Sequence, residues 1–394
     1  MTCIRKALIL GVFSGGLVAA PTSAWSQDAP ARSSFLSETR FEFEADVDLV
    51  VGVGESAVRK DSPYADLTLR GSSETLTEQA WRYGIELEAR LTSSDGRRGL
   101  ARSGLTGPRV NGRPIAGLLT GLSGDAGLDD ASARFIAEQA QLYLQTRWVK
   151  LRAGLGESAA ELEASEPLHA FRLTRAQGGV FDLSGLNLAD TSLTLADAAP
   201  IVSIQSRRLV GFRVSASFAP DSDPCAQGCH PAGAEVLRAD LSAIWSMAAS
   251  FDRRLPSTGV RWSASLGYES AQAEGPAASL FDDPWLLRAD LVREAGDLTL
   301  SLSGLTGSDG YLDAEYDSFG FGLAYEQGDW VYGAELGYGR SELVGAESVS
   351  ALIGASRLVG ANGLLGVGLM TVRERANGAD RDSVQVLVET GLRF

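Results

Sequence analysis

Apolar and polar residues alternate one for one in short stretches along most of this chain. The clearest stretch is the last: Val384, Val386, Val388, Thr390, Leu392 and Phe394 share one face, and Gln385, Leu387, Glu389, Gly391 and Arg393 the other. Near the start, Phe41, Phe43, Ala45, Val47, Leu49, Val51 and Val53 oppose Glu42, Glu44, Asp46 and Asp48. A third stretch sets Trp81, Tyr83, Ile85, Leu87, Ala89 and Leu91 against Arg82, Glu86, Glu88 and Arg90. Side chains of an extended strand point alternately to its two sides, so period two predicts strands. Past the N-terminal stretch there is no heptad, no sustained helical period and no apolar run long enough for a membrane helix.

The same period predicts sixteen strands, at about 41–54, 64–71, 81–91, 138–146, 149–156, 201–206, 210–219, 235–247, 259–269, 285–292, 297–304, 318–325, 330–339, 348–356, 364–372 and 383–394. Short turns are expected at 147–148, 207–209, 293–296, 326–329 and 357–363. Longer polar loops are expected at 55–63, 92–137, 157–200, 220–234, 270–284, 305–317, 340–347 and 373–382. Alternation of short and long connections is the pattern of an outer-membrane barrel, with tight periplasmic turns and longer external loops.

Alternation alone also fits a soluble sandwich. Two features favour a barrel in lipid. The apolar faces of the three stretches carry no charge, and Arg or Lys on a lipid-facing surface costs roughly 2–4 kcal/mol at the bilayer midplane. Aromatic residues (Phe41, Phe43, Trp81, Tyr83, Trp148, Trp285, Trp330, Tyr332 and Phe394) fall at or near stretch ends, where interfacial girdles sit. The fold expected is all-β, a transmembrane antiparallel β-barrel of about sixteen strands.

Charge and cysteine usage add an export signal. The 394 residues hold 45 glycines, two histidines and a formal charge of −15, an acidic excess that argues against nucleic acid as partner. Arg5 and Lys6 precede the apolar run Ala7–Ala20, which is too short to span a bilayer. Small residues then offer cleavage between Ala24 and Gln27, the alternative being an uncleaved anchor. The chain thus divides into a cleaved signal (1–26), an N-terminal periplasmic segment (27–40) and the barrel (41–394). Losing Arg5 and Lys6 takes the bases from 35 to 33 against 50 acids, a charge of about −17. Cys225 and Cys229 remain, and an even pair in an oxidising compartment reads as a disulfide.

The last strand, VQVLVETGLRF, resembles the C-terminal signature of outer-membrane barrels, and the stretches Gln139–Pro167 and Ala199–Asp223 are similar to a strand pair, long third external loop and next hairpin of the general diffusion porins of Gram-negative outer membranes, most closely the alphaproteobacterial type. That resemblance implies a passive pore in the outer membrane, homotrimeric, contacting lipid and lipopolysaccharide. It also implies that Val386, Val388, Thr390, Leu392 and Phe394 are read by the barrel-assembly machinery. It further implies that the third loop, 157–200, folds inward as the constriction. One departure is the second external loop, about 92–137, longer than expected and rich in Gly and Arg; it would latch onto a neighbouring subunit.

A sixteen-strand barrel encloses an aqueous channel rather than a packed core. Candidate constriction acids on the third loop are Glu157, Glu161, Glu163, Glu166, Asp182 and Asp190, with Asp197 beyond. Candidate lumen bases are Arg82, Arg90, Lys150, Arg152, Arg213 and Arg393. Acids facing bases across a narrowing would set up a transverse field that filters ions. No cofactor is expected, and acidic loop clusters such as Asp313, Glu315 and Asp317 would at most take Ca²⁺ or another divalent ion. CAQGCH (Cys225 to His230) has one residue too many for covalent haem attachment. His169 and His230 accompany no nucleophile motif, so no enzyme is expected. The function expected is passive diffusion of ions and small hydrophilic solutes. The alternatives are a substrate-selective channel and a structural or adhesive barrel without conductance.

Overall fold

The computed structural model describes residues 39–55, 63–77, 81–93, 106–124, 134–165, 167–182, 184–196, 199–222 and 236–394. Sixteen strands in it hydrogen-bond into one closed antiparallel ring, each next to its neighbour in sequence. They are β1 (Thr39–Glu55), β2 (Tyr64–Leu76), β3 (Arg82–Thr92), β4 (Arg134–Gln145), β5 (Val149–Gly156), β6 (Ala199–Ser206), β7 (Phe212–Ser222) and β8 (Asp240–Arg254). The second half comprises β9 (Arg261–Glu274), β10 (Trp285–Ala295), β11 (Leu298–Ser308), β12 (Glu315–Gln327), β13 (Trp330–Ser341), β14 (Ala346–Val359), β15 (Gly363–Ala376) and β16 (Ala379–Arg393). Closure of the ring leaves no unpaired edge, which is what spanning a bilayer requires. Among the described residues no helix is long and apolar enough to cross a membrane.

The seam shows how the sequence pattern orients the wall. Strand β1 pairs with β16 in the register Val47 to Leu392, Leu49 to Thr390, Val51 to Val388 and Val53 to Val386, so apolar residues meet on one face. That face looks outward: Phe41 is 78% exposed and Val386 50%. The opposite face is covered, with Asp46 6% and Glu389 0% exposed. A soluble protein shows the reverse. The exposed outward row includes Tyr83, Trp148, Trp330, Tyr332 and Phe394 at the end with the tight turns, forming an aromatic belt there.

Each expected strand is present, but several run further at the long-loop end. Loops expected at 340–347 and 373–382 are tight turns, Glu342 to Gly345 and Asn377-Gly378, the latter with φ of 55° and 74°. Positive φ at both central residues is the two-residue hairpin turn that matches strand twist, and Asn-Gly supplies it. Cross-strand pairs Arg373–Asp382 (2.8 Å) and Arg375–Asp380 (3.0 Å) extend the ladder through polar sequence. In β8, an irregularity between Ser242 and Trp245, with Ala243 at φ 48°, shifts the phase so that both Leu241 and Ile244 face inward.

Part of the barrel interior is a dry core. Ile115, Leu118 and Leu119 from the β3–β4 connection pack there with Leu195, Ile201, Leu241, Ile244, Leu286 and Tyr316. The described part of that connection, 106–124, packs on its own barrel. Its apolar residues need cover, and the barrel mouth supplies it. The signal segment 1–26, Glu166, Asp197, and the Cys225 and Cys229 pair lie outside the described residues, as does all of 27–40 except Thr39 and Arg40.

Candidate functional site: the lumen and its inward loop

The connection between β5 and β6, here loop 3, fills much of the lumen. It turns off the wall early because β5 is short. Ser158 caps a single helical turn, Ala159–Leu162, in a capping box: its hydroxyl accepts the Glu161 N–H at 3.2 Å and the Glu161 carboxylate accepts the Ser158 N–H at 2.9 Å. The N–H groups of Ala159 and Ala160, which a helix start leaves without internal partners, donate to the wall hydroxyls of Ser217 (2.9 Å) and Ser246 (3.0 Å).

Three wall carboxylates then hold the loop by its backbone. Glu389 on β16 accepts the N–H of Arg172 (2.6 Å) and Leu173 (3.2 Å). Glu335 on β13 accepts from Ala176 at 2.9 Å and bonds His169 Nδ1 at 2.8 Å. Glu269 on β9 accepts from Leu195 (2.7 Å) and the Thr194 hydroxyl (3.0 Å). All three are almost fully buried, so these carboxylates are structural acceptors rather than solvated pore charges.

Glycines on the same wall let the loop lie flat. A Cβ on Gly337 would sit 2.3 Å from the Ala176 carbonyl oxygen, and one on Gly339 would sit 2.4 Å from Leu188. The ring of Phe171 occupies the space that side chains at Gly354, Gly366 and Gly368 would need. Much of the glycine content of β12 to β15 is thus accounted for by contact with the loop rather than by turns.

The predicted loop acids separate into two groups. Glu163 is buried against the wall, where Arg213 (2.8 Å), Gln205 (2.7 Å) and the hydroxyls of Ser215 and Ser250 donate to it. Burial alone would raise its pKa, but these hydrogen bonds outweigh it and hold the carboxyl below the usual range. Asp182 and Asp190 are also buried and close local turns, accepting from Ser184 and Asn187 and from Ser192. Those three acids shape the loop instead of facing the passage. Glu157 is exposed and Glu161 half-buried. They line a cavity of 270 Å³ between the loop and the wall of β10 and β11, together with Arg175, Arg288, Asp290 and Ser303.

The predicted bases all sit against carboxylates. Arg90 contacts Asp66 and Glu138 (3.3 Å), Lys150 and Arg152 contact Glu86 (2.7 and 3.5 Å), Arg82 contacts Glu74 (3.5 Å) and Arg393 contacts Asp46 (3.0 Å). Except for Arg213, their partners are on the same wall, so the expected opposition of loop acids to these bases does not form. Arg288, which the sequence pattern did not single out, lines the same cavity as Glu157 and Glu161 and pairs with Asp290 on its own strand at 3.0 Å. Arg172, also missed, points from the loop to Asp48 (3.5 Å) and Asp46 (3.6 Å) on β1. Among the described residues no group of three acidic, Cys or His side chains is placed to hold a metal ion.

An apolar outer surface, an unbroken ring of strands and a charged, loop-narrowed interior define a transmembrane β-barrel channel. The model of the Gram-negative porin family matches residues 55–388, and the chain belongs to that family. It forms an outer-membrane channel for passive diffusion. Solved structures agree in fold. The anion-selective porin from Comamonas acidovorans superposes with a TM-score of 0.56 at 13% identity, over 91% of this chain and 100% of that one. A porin refined at 1.8 Å gives a TM-score of 0.51 at 14% identity, over 90% and 100%. A mutant of Rh. blastica porin gives 0.50 at 12%, over 90% and 100%. A sequence search of curated proteins finds no match.

Proposed function

We propose that the channel is a general diffusion pore for ions and small hydrophilic solutes, narrowed by loop 3, with Glu157 and Glu161 as its filter acids. The observation that carries this is the cavity between loop and wall that both acids line together with Arg175, Arg288 and Asp290. Charges of opposite sign across a narrow, low-dielectric passage act more strongly than the same charges in bulk water.

The same reading has the chain exported by its N-terminal signal and assembled as a homotrimer. Its outward row Val386, Val388, Thr390, Leu392 and Phe394 is recognised by the assembly machinery, and its acidic external loops bridge through divalent ions to lipopolysaccharide. The signal is supported by Arg5, Lys6 and the apolar run Ala7–Ala20, the bridging by the acidic loop clusters, and the other two statements by the sequence resemblance.

The filter is tested by reversal potentials across a salt gradient. Glu157→Gln with Glu161→Gln shifts the potential toward anion preference. An unchanged potential in the double variant would remove both residues from the filter.

A further inference from the structure

Residues 106–124 belong to the connection between β3 and β4, yet they rest on the far side of the barrel. Ile115 bridges to Leu237, just before β8, with the Ala116 N–H on the Leu237 carbonyl (3.1 Å) and the Leu237 N–H on the Pro114 carbonyl (2.8 Å). Asp309, between β11 and β12, accepts the Leu118 N–H on its carbonyl at 3.0 Å. Its carboxylate accepts the N–H groups of Leu119 (3.2 Å) and Thr120 (2.8 Å) and the Thr120 hydroxyl (2.9 Å). In a ring of sixteen strands the β3–β4 and β11–β12 connections are eight strands apart in either direction. Within the segment itself, the Thr106 hydroxyl bonds Asn377 in the β15–β16 turn while Ile115 bridges to Leu237 just before β8, two points also eight strands apart, so these residues cross the external mouth.

Its underside is packed on loop 3. Leu118 and Leu119 are buried in one cluster with Leu195 and Ala196, and Leu122 in another with Leu188 and Val344. The fit at the far wall is close: a Cβ on Gly307 would meet the Leu119 side chain at 2.7 Å, and one on Gly117 would meet the Asp309 carboxyl at 2.3 Å. A buried carboxylate with three donors from one segment is a specific anchor, since an unpaired one would not be tolerated there.

We propose that this segment is an outer size filter, a crossbar fixed across the external mouth in series with loop 3, with Asp309 as its positioning residue. This deepens the diffusion-pore reading and rests on it. A solute arriving from outside meets the crossbar first, and the open area beside it sets the largest molecule admitted.

Two variants remove the crossbar by different routes. Leu119→Asp sets a second carboxylate against Asp309, and replacement of 107–123 by a short Gly-Ser linker deletes the segment. Full-length wild type and variants are compared in planar bilayers and by liposome swelling with mono- to tetrasaccharides, with barrel content followed by circular dichroism. Both variants are expected to show a larger single-channel conductance and to admit tri- and tetrasaccharides that the wild type excludes, with monosaccharide rates little changed. An unchanged or lower conductance with the same cutoff, in variants whose barrels are intact, overturns the crossbar and leaves the pore. A wild type that carries no current removes the pore and the crossbar together.

Discussion

The carboxylate of Glu389 accepts the backbone N–H of Arg172 at 2.6 Å, tying the last barrel strand to a loop residue 217 positions earlier. Removing one side of a buried hydrogen bond leaves the other unsatisfied, at about 1–3 kcal/mol per orphaned group. Glu389→Leu is therefore expected to lower the denaturation midpoint in detergent and to make the open-channel current noisier, since loop 3 loses its hold on β16. A variant with wild-type midpoint and quiet current would show that this anchor does not position the loop.

Glycine positions on the wall give a steric test. Gly337→Ala places a methyl 2.3 Å from a backbone oxygen of the loop, whereas Gly71, on β2, has nothing within 4 Å of its would-be Cβ. Overpacking a filled contact costs about 1–3 kcal/mol. Gly337→Ala is expected to displace loop 3 and change single-channel conductance, and Gly71→Ala to leave it unchanged. Equal behaviour of the two would contradict the described loop–wall contact.

Glu163 separates structural from filter acids. Its carboxyl is held below the usual range, so the stability it supplies is present above the ordinary carboxylate pKa and is lost as pH falls below it. Glu163→Gln is expected to reduce stability at neutral pH and to flatten the acid end of the stability profile, with the reversal potential unmoved. A selectivity shift in this variant would return Glu163 to the pore lining.

Acid should also tighten the crossbar. Burial raises the Asp309 carboxyl to about 6, against the downward pull of its hydrogen bonds from Thr120 and Leu119. The residues packed round it (Gly117, Leu118, Leu119, Thr120, Ser308 and Ala314) carry no charge. A raised carboxyl pKa means the docked form binds the proton more tightly than the undocked form. Docking is thus strongest below the ordinary aspartate value and weakens as pH rises through about 6. Conductance is expected to fall on acidification from neutral pH with a midpoint near 6, and the step to vanish in Asp309→Asn. A step of the same size in that variant would assign it to another group.

The barrel was legible in the sequence because period two is enforced twice, by lipid outside and by water or loop inside. Val384, Val386, Val388, Leu392 and Phe394 could be placed on the outer face from spacing alone, and they are there. The inside was less legible. A lumen-facing carboxylate reads the same in sequence whether it meets water, as Glu157 does, or a loop backbone, as Glu269, Glu335 and Glu389 do. One signal was available: Gly320-x-Gly322, Gly337-x-Gly339 and Gly366-x-Gly368 fall at period two on the inner phase of β12, β13 and β15. Side chains absent at that spacing mark where something else lies on the wall. Partner choice for 106–124 had no such signature, because apolar residues such as Leu118 and Leu119 would bury equally well on a neighbour or at home.

Stepwise current in a planar bilayer bears most directly on the claim that charged strand faces enclose water while uncharged faces meet lipid. The refolded chain is expected to insert as discrete conducting units, each with current linear in voltage and rising with bulk salt. A chain that folds into its barrel, inserts and carries no current at any salt would contradict it.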